Sequence, residues 1–493
     1  MKGCRSAWAA AAAAVVTVAS LSAGCAGLPP QPKPVQLASA APLDGLEAAG
    51  GGDWPARDWW KRYQDPTLDR LIEMAMASSP TLATAHARYD SARQSVRIAG
   101  AESGVRLDAN GDIDRQRLSD NGLIPPQLLG FTWYNQSDLG LQASYTFDWW
   151  GKRRDAVEAA MDQAHAAQAD RSAAAVMLES SVADTYFGWQ ADQGRIALAR
   201  ERAGIVEREG DIASARIGAD LDPAENARRS DLDLAAVREQ IAELEGSAKL
   251  RVVALAALVG CSIAELPPLQ AKPLPALSGN LPDDVKIDLI ARRADITASR
   301  WRVEAAERNR DSARAEFFPD VSVNALLGLS SVDVGKLLEY SSRVPQVTAA
   351  VHLPIFDSGR LKARYGATQA AIDSAAADYR DTVIGAARDV AAQATTRAQI
   401  AAERGQRLIE VDAARELRNG AAARVRQGIT DQRAELTAAE SWVAQRDALL
   451  QLDSAGLSAD IALLRALGGG YEKPQKLAQE IANSHSTVTP STP

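Results

Sequence analysis

The chain has 493 residues, 24% of them charged, and a formal net charge of -8 with both signs interspersed. It lacks the basic stripe that neutralises a phosphate backbone, which argues against a nucleic-acid partner. Aromatics are only 5% of residues while alanine is heavily over-used, a mixture that suits long, closely packed helices.

At the N-terminus, Met1, Lys2 and Arg5 precede an apolar run from Ala7 to Val18, and Ser22-Ala23-Gly24 supplies small residues before a cleavage point. This predicts an export signal over residues 1–24. The segment Leu21-Ser22-Ala23-Gly24-Cys25 resembles a bacterial lipobox, with Cys25 as the residue that receives acyl chains. Ser22 stands where a lipobox usually has leucine, so a plain signal followed by a free cysteine is the alternative. Ala26 is not the aspartate that marks inner-membrane retention, so a lipidated chain is expected at the outer membrane. No later segment approaches 18 consecutive apolar residues, so any membrane span is a β-barrel or a lipid anchor. Three cysteines, Cys4, Cys25 and Cys261, build no disulfide framework.

Residues 25–55 are rich in Pro, Ala and Gly and read as a lipidated tether. Two copies of one plan follow, over 56–270 and 271–470. In the first, a helical stretch from Asp65 to Gly104 leads to strands at about 105–118 and 137–148, separated by a loop at Asn121 to Gly130. In the second, a helix over Asp283 to Phe318 leads to strands at about 320–332 and 345–357. The hairpins close alike, on Phe147-Asp148-Trp149-Trp150-Gly151-Lys152 and Phe356-Asp357-Ser358-Gly359-Arg360. After each comes a long helix without proline, a turn at about 218–223 or 428–431, and a returning helix that ends at Gly260 or Gly468. Residues 471–493 read as a disordered polar tail.

Four strands cannot close a barrel, which needs about eight or more, and an open edge cannot face lipid. Three chains supply twelve. Leu139, Leu141, Tyr145 and Phe147 share the parity that would face lipid, and Gln142, Ser144 and Thr146 the parity that would face a wet lumen. Trp149 and Trp150 fall where an interfacial aromatic belt is expected; paired tryptophans also occur in soluble cores.

Three segments carry a resemblance to the outer membrane factor family, the TolC-like channels, and within it to the NodT-type lipoproteins. They are Phe147 to Arg154, Leu353-Pro354-Ile355-Phe356-Asp357-Ser358-Gly359-Arg360, and Asp288-Leu289-Ile290-Ala291-Arg292-Arg293-Ala294-Asp295-Ile296 with Ala315, Phe318 and Pro319. The resemblance runs from about Asp53 to Gly469; Ala294 stands where relatives usually have proline, a change expected to alter only a helix boundary.

It implies an α+β membrane protein: a homotrimer whose twelve-strand β-barrel in the outer membrane continues as a long periplasmic α-helical barrel. The chain would be the passive exit channel of a drug or solute efflux system and not an enzyme. A periplasmic adaptor and an inner-membrane pump of the resistance-nodulation-division, major-facilitator or ABC type would be its partners, with outer-membrane lipid around it. Related channels narrow at their periplasmic end through rings of carboxylates, for which Asp431, Glu435, Asp222 and Glu225 are the candidates; the alternative is solvated helix-start charge. Gly218, Ala219, Gly428 and Ile429 are candidate adaptor contacts, or simply turn residues. Asp148, Gly151, Asp357 and Gly359 mark the passage from barrel to helix.

A periplasmic coiled-coil structural or adaptor protein would explain the helices but not the repeated hairpins, and a protein-secretion duct differs only in its pump. No cofactor or metal is expected. His86, His165, His352 and His485 have no ligand spacing, and no P-loop, nucleophile elbow or dinucleotide fingerprint occurs.

Overall fold

A computed structural model describes residues 35–43, 52–121, 125–276 and 285–472, without the side chains of 286–288. The expected signal, Cys25, and the tail beyond residue 472 lie outside the described residues, as does most of the expected tether. Within them the order is α1 (Pro66–Ser78), α2 (Pro80–Glu102), β1 (Arg106–Arg117), α3 (Pro126–Leu129), β2 (Trp133–Phe147), α4 (Lys152–Gly218) and α5 (Glu225–Val259). Then follow α6 (Val285–Arg292), α7 (Ala294–Ala315), β3 (Asp320–Ser331), β4 (Arg343–His352), α8 (Arg360–Arg426) and α9 (Gln432–Ala466). The duplication is exact in length where the helices are longest: α4 and α8 have 67 residues each, and α5 and α9 have 35 each.

The helices before the strands are each interrupted once. Pro80 opens α2 directly after Ser79, because proline fits a first helical turn but no interior. Ala294 opens α7 at the corresponding place, where Arg293 reaches Ala466 O at 2.9 Å and pairs with Asp295 at 2.6 Å. The break is therefore present here without proline, beside these side-chain bonds.

The chain divides into two compact units. Of the described residues, one takes those within Asp90–Ala166 and Arg300–Asp378; the other takes those within Leu37–Tyr89 and Ala167–Ser299 and those from Tyr379 to residue 472.

The first unit carries a four-stranded antiparallel sheet in the order β1-β2-β3-β4. Its register aligns Ala109 with Leu141 and Leu327, and Asp108 with Gln142 and Leu326. One face displays Leu107, Ile113, Leu139, Leu141, Phe147, Leu327, Val347 and Val351, all exposed. The other carries Asp108, Asp112, Gln142, Ser144, Asn324, Gln346 and Thr348, since neighbours along a strand point to opposite faces. All of β4 and all but one residue of β1 are exposed. These are the two unpaired edges.

The second unit holds the main core, where Leu68, Leu71 and Ile72 of α1 meet Val182 and Tyr186 of α4, Leu255 and Val259 of α5, and Leu457 and Ile461 of α9. Asp65 caps α1 through Thr67 N at 2.9 Å, and also accepts from Tyr186 Oη at 2.7 Å and Lys272 Nζ at 3.0 Å. The connector between the repeats is thereby fixed to the core, with Gln190 bonded to Gln270 O and Lys272 N. In residues 35–43, Ala41 and Leu43 are buried and Tyr379 Oη donates to Ala38 O at 2.9 Å. At the end of α9, Gly468 has φ +100 and approaches Arg292 O so closely that a Cβ would lie 2.0 Å away. Among the described residues no helix is long and apolar enough to cross a membrane.

Candidate functional site

The two turns that end α4 and α8 are the same structure. At the first, Asp220 N bonds Ile217 O at 3.0 Å and Leu221 N bonds Arg216 O at 2.8 Å; at the second, Gly428 N bonds Val425 O at 3.0 Å and Ile429 N bonds Arg424 O at 2.9 Å. This paired closure needs a left-handed residue after the helix. Asp220 (φ 57) and Gly428 (φ 69) supply it. The residue that matches Gly428 is therefore Asp220 and not Gly218, which ends α4 without a positive φ and with open space around it. Aspartate is among the few side chains that tolerate this region.

The next residue in each turn is apolar and bare: Leu221 is 64% exposed and Ile429 66%. Ala219 is exposed as well.

The candidate acids divide into two groups. Asp222 receives a two-pronged bond from Arg216, Nε at 2.8 Å and Nη2 at 3.1 Å, and Arg433 Nη1 lies 3.5 Å from the same carboxylate. Arg433 also pairs with Asp431 at 3.1 Å, and Asp431 caps α9 by accepting from Ala434 N at 3.3 Å. Two acids and two arginines thus join the turn of the first repeat to the start of α9 in the second. The Arg216 guanidinium holds the Asp222 carboxyl below its ordinary range, and Asp222 in turn raises Arg216. At Asp431 burial works against ionisation, but the bonds from Arg433 and Ala434 N outweigh it and the net shift is downward. Glu225 and Glu435 stand apart from this network, each in the first turn of its helix, Glu225 exposed and Glu435 half-buried.

Arg216 and Arg433 were not singled out in the sequence. Their signal was present: Arg216 and Arg424 occupy matching places in the two turns, and Arg433 lies two residues beyond the cap Asp431.

Beyond the turn, α9 lies along α4 on a seam of Leu198, Ile205, Leu436 and Val443. The seven-residue steps on both helices mark knobs-into-holes packing. Ion pairs flank it: Arg195–Asp447, Arg202–Glu440 and Arg446–Glu201, each 2.8 Å, with Arg200–Glu245 at 2.7 Å and Arg238–Glu207 at 3.1 Å tying α4 to α5.

The four strand-to-helix residues act in pairs. Asp148 Oδ2 accepts from Arg154 N at 2.8 Å, and Asp357 accepts from Gly359 N at 3.0 Å and Leu361 N at 2.8 Å, so both satisfy free amides at a helix start. Gly151 (φ 80) and Gly359 (φ 87) make the left-handed step into α4 and α8. Trp149 and Trp150 are exposed, and Trp150 stacks on Phe318 at 4.5 Å. Among the described residues no group of side chains could hold a metal ion.

Comparison with known proteins gives a consistent result. The family described as "Outer membrane efflux protein" matches residues 71–261 and 287–469. The chain is 32% identical to the multidrug resistance outer membrane protein MdtP of Escherichia coli K12 over 449 residues, 90% of this chain and 91% of that protein. It is also 32% identical over 452 residues to MdtQ of Escherichia coli O6:H1, covering 89% and 93%. Among solved structures, the outer-membrane channel OprN aligns with a TM-score of 0.81 at 25% identity, covering 91% of this chain and 100% of that one. VceC of Vibrio cholerae aligns at 0.76 and 30% identity, covering 85% and 100%.

Proposed function

The chain belongs to the outer membrane efflux protein family and is an exit channel of the outer membrane; on that premise we propose how it is assembled and gated. Three copies close their sheets into one twelve-strand barrel, and the long helices of repeats 56–270 and 271–470 continue it as a periplasmic tube. Acyl chains on Cys25 add a second hold on the membrane. A periplasmic adaptor and an inner-membrane pump complete the path, and drug-like solutes of the kind implied by the names of MdtP and MdtQ are the cargo.

The observation that carries this reading is the sheet. It has an apolar face, a polar face and two bare edges. Unpaired backbone is tolerable in lipid only if the edges meet further strands, and four strands are too few to meet each other.

The periplasmic turns are the gate. Asp222, Asp431, Glu225 and Glu435, repeated around a threefold axis, set a negative potential that favours cations at the constriction. Arg216 and Arg433 hold two of those acids in place. Leu221 joins Gly218, Ala219, Gly428 and Ile429 as the surface that the adaptor meets, and adaptor binding opens the tube by favouring the open arrangement.

Cell fractionation followed by native mass measurement of the detergent-extracted protein tests the assembly. A trimer recovered from the outer membrane is expected; a monomer, or protein recovered from the soluble periplasm, contradicts it.

A further inference from the structure

The apolar face of the sheet sorts its charges by level. The strand registers run without a bulge, so odd-numbered residues of all four strands share that face. It carries no carboxylate from the described strands: Asp108, Asp112, Asp114, Asp138 and Asp320 all lie on the other face. Its strand cations are Arg115, Arg117 and Arg343, and all of them stand at the end of the sheet away from the starts of α4 and α8.

Two of these arginines have an aromatic ring where an acid would be expected. Arg117 pairs with Asp120 at 3.5 Å. Arg115 instead lies over the Trp133 ring at 5.7 Å and Arg343 over the Tyr340 ring at 3.9 Å, and neither has a carboxylate partner among the described residues. A guanidinium stacked on a ring keeps its edge N–H groups for an anion. Arg343 also ends a groove of about 580 Å³ on the apolar face, walled by Leu139 and Leu141 of β2, Leu327 and Leu329 of β3, and Leu338 of the loop before β4, with Ala109 of β1 on its other side. Leu338 and Tyr340 are 80% and 77% exposed, so the chain itself leaves this groove uncovered.

The spacing sets the level of the arginines in a membrane. Eight residues separate Leu107 from Arg115 in β1 and Val351 from Arg343 in β4, which is about 27 Å along a strand. At the tilt of barrel strands this becomes about 20 Å of height, close to the apolar band of about 25 Å. With α4 and α8 starting on the periplasmic side, Arg115 and Arg343 reach the headgroups of the opposite, outward leaflet. A cation on a lipid-facing surface is costly at the middle of the bilayer and tolerated at that level.

We propose that the groove is a binding site for a phosphorylated glycolipid of the outward leaflet. One acyl chain lies between the Leu139–Leu141 and Leu327–Leu329 walls, and a phosphate sits on the Arg343 guanidinium, whose fork of N–H groups matches phosphate oxygens. Arg115, on the neighbouring hairpin, gives the same headgroup a second cation. The proposal rests on the barrel reading and goes beyond it, because a surface that merely faces lipid needs neither a groove nor arginines without acids beside it.

The test is native mass measurement of the detergent-exchanged full chain, titrated with bis-phosphorylated lipid A and, separately, with phosphatidylglycerol. One lipid A per subunit is expected, held more tightly than phosphatidylglycerol. Arg343→Gln and Arg115→Gln should each weaken lipid A binding about fivefold, and Ala109→Trp, which fills the groove, should remove it. Arg106→Gln, on the other face, should leave it unchanged. Trimers that bind lipid A no better than phosphatidylglycerol overturn the site and leave the barrel standing. In trimers of the variants, wild-type affinity with Arg343→Gln overturns the phosphate contact, and wild-type affinity with Ala109→Trp overturns the acyl-chain seat. Protein that is monomeric by mass overturns the barrel reading and the site with it.

Discussion

The two helical turns share a backbone and differ in how they are tied down. Both close on the same pair of amide bonds and both expose one apolar residue, Leu221 or Ile429. In the first, a charged side chain occupies the left-handed position and Asp222 is bound by Arg216 from its own helix. In the second, glycine occupies that position, Thr430 replaces the acid, and Asp431 serves as a helix cap. Duplication has kept what the backbone needs and one bare apolar residue beside it, while the electrostatics have diverged. Arg433 then links the two, so the turns are one site.

The largest test of that linkage is at its root. Leu436, 4% exposed, anchors the start of α9 against Leu198 and Ile205 of α4. Leu436→Ala is expected to cost about 2–5 kcal/mol in denaturant unfolding. It should also raise hydrogen exchange at both turns; exchange raised at only one would break the single-site view.

A contrast in pH response sharpens the comparison between the turns and the body of α4. Glu179 is buried beneath Trp59, whose Nε1 donates to it at 3.3 Å, and burial pushes its carboxyl up from 4.5 to about 7. Its folded value lies above its unfolded one, so the stability it contributes is full below pH 4.5 and is lost as pH rises through about 7. The loss is on the order of 3 kcal/mol, and Glu179→Gln should flatten the thermal melting profile across that window. Asp222 and Asp431 are shifted the other way. Their contribution is present above the ordinary value of 3.8 and is lost only as pH falls through their lowered values. Exchange protection at the turns should therefore hold from pH 7 down to 5, where Glu179 is changing.

Gly428→Val forces a β-branched side chain into the left-handed position and should cost roughly 1–2 kcal/mol. Asp220→Gly at the matching position should be neutral or slightly stabilising. Equal losses at both would deny that the turns share one conformation. The smallest effect separates the arginines: Arg216→Ala should loosen only the first turn and Arg433→Ala both, read as amide exchange at residues 216–222 and 424–434.

Much of the fold was legible because its signals are periodic or punctuated. Alternation set the faces of the strands, proline-free runs set the long helices, and the Phe-Asp…Gly endings set the strand-to-helix passages, where aspartate caps and glycine turns. The left-handed residue of the first turn was not legible in the sequence, for a physical reason. Glycine is the usual left-handed residue, so Gly218 drew attention, whereas Asp220 holds the position. The arginine pairing of the candidate acids was hidden because Asp222 and Arg433 are far apart in sequence and meet only when α4 and α9 pack side by side. Ala294 shows the converse: proline is absent, yet the helix break is present, beside the bonds of Arg293 to Asp295 and to the end of α9.

The most direct measurement is single-channel conductance of the purified protein in a planar bilayer, comparing wild type with Asp222→Ala/Arg433→Ala and with Asp431→Ala/Glu435→Ala. A small, cation-selective conductance that grows when the Asp222–Arg433 tie is cut, and loses selectivity when the acids are removed, is the predicted result. Well-folded protein that forms no channel would contradict the account at its centre.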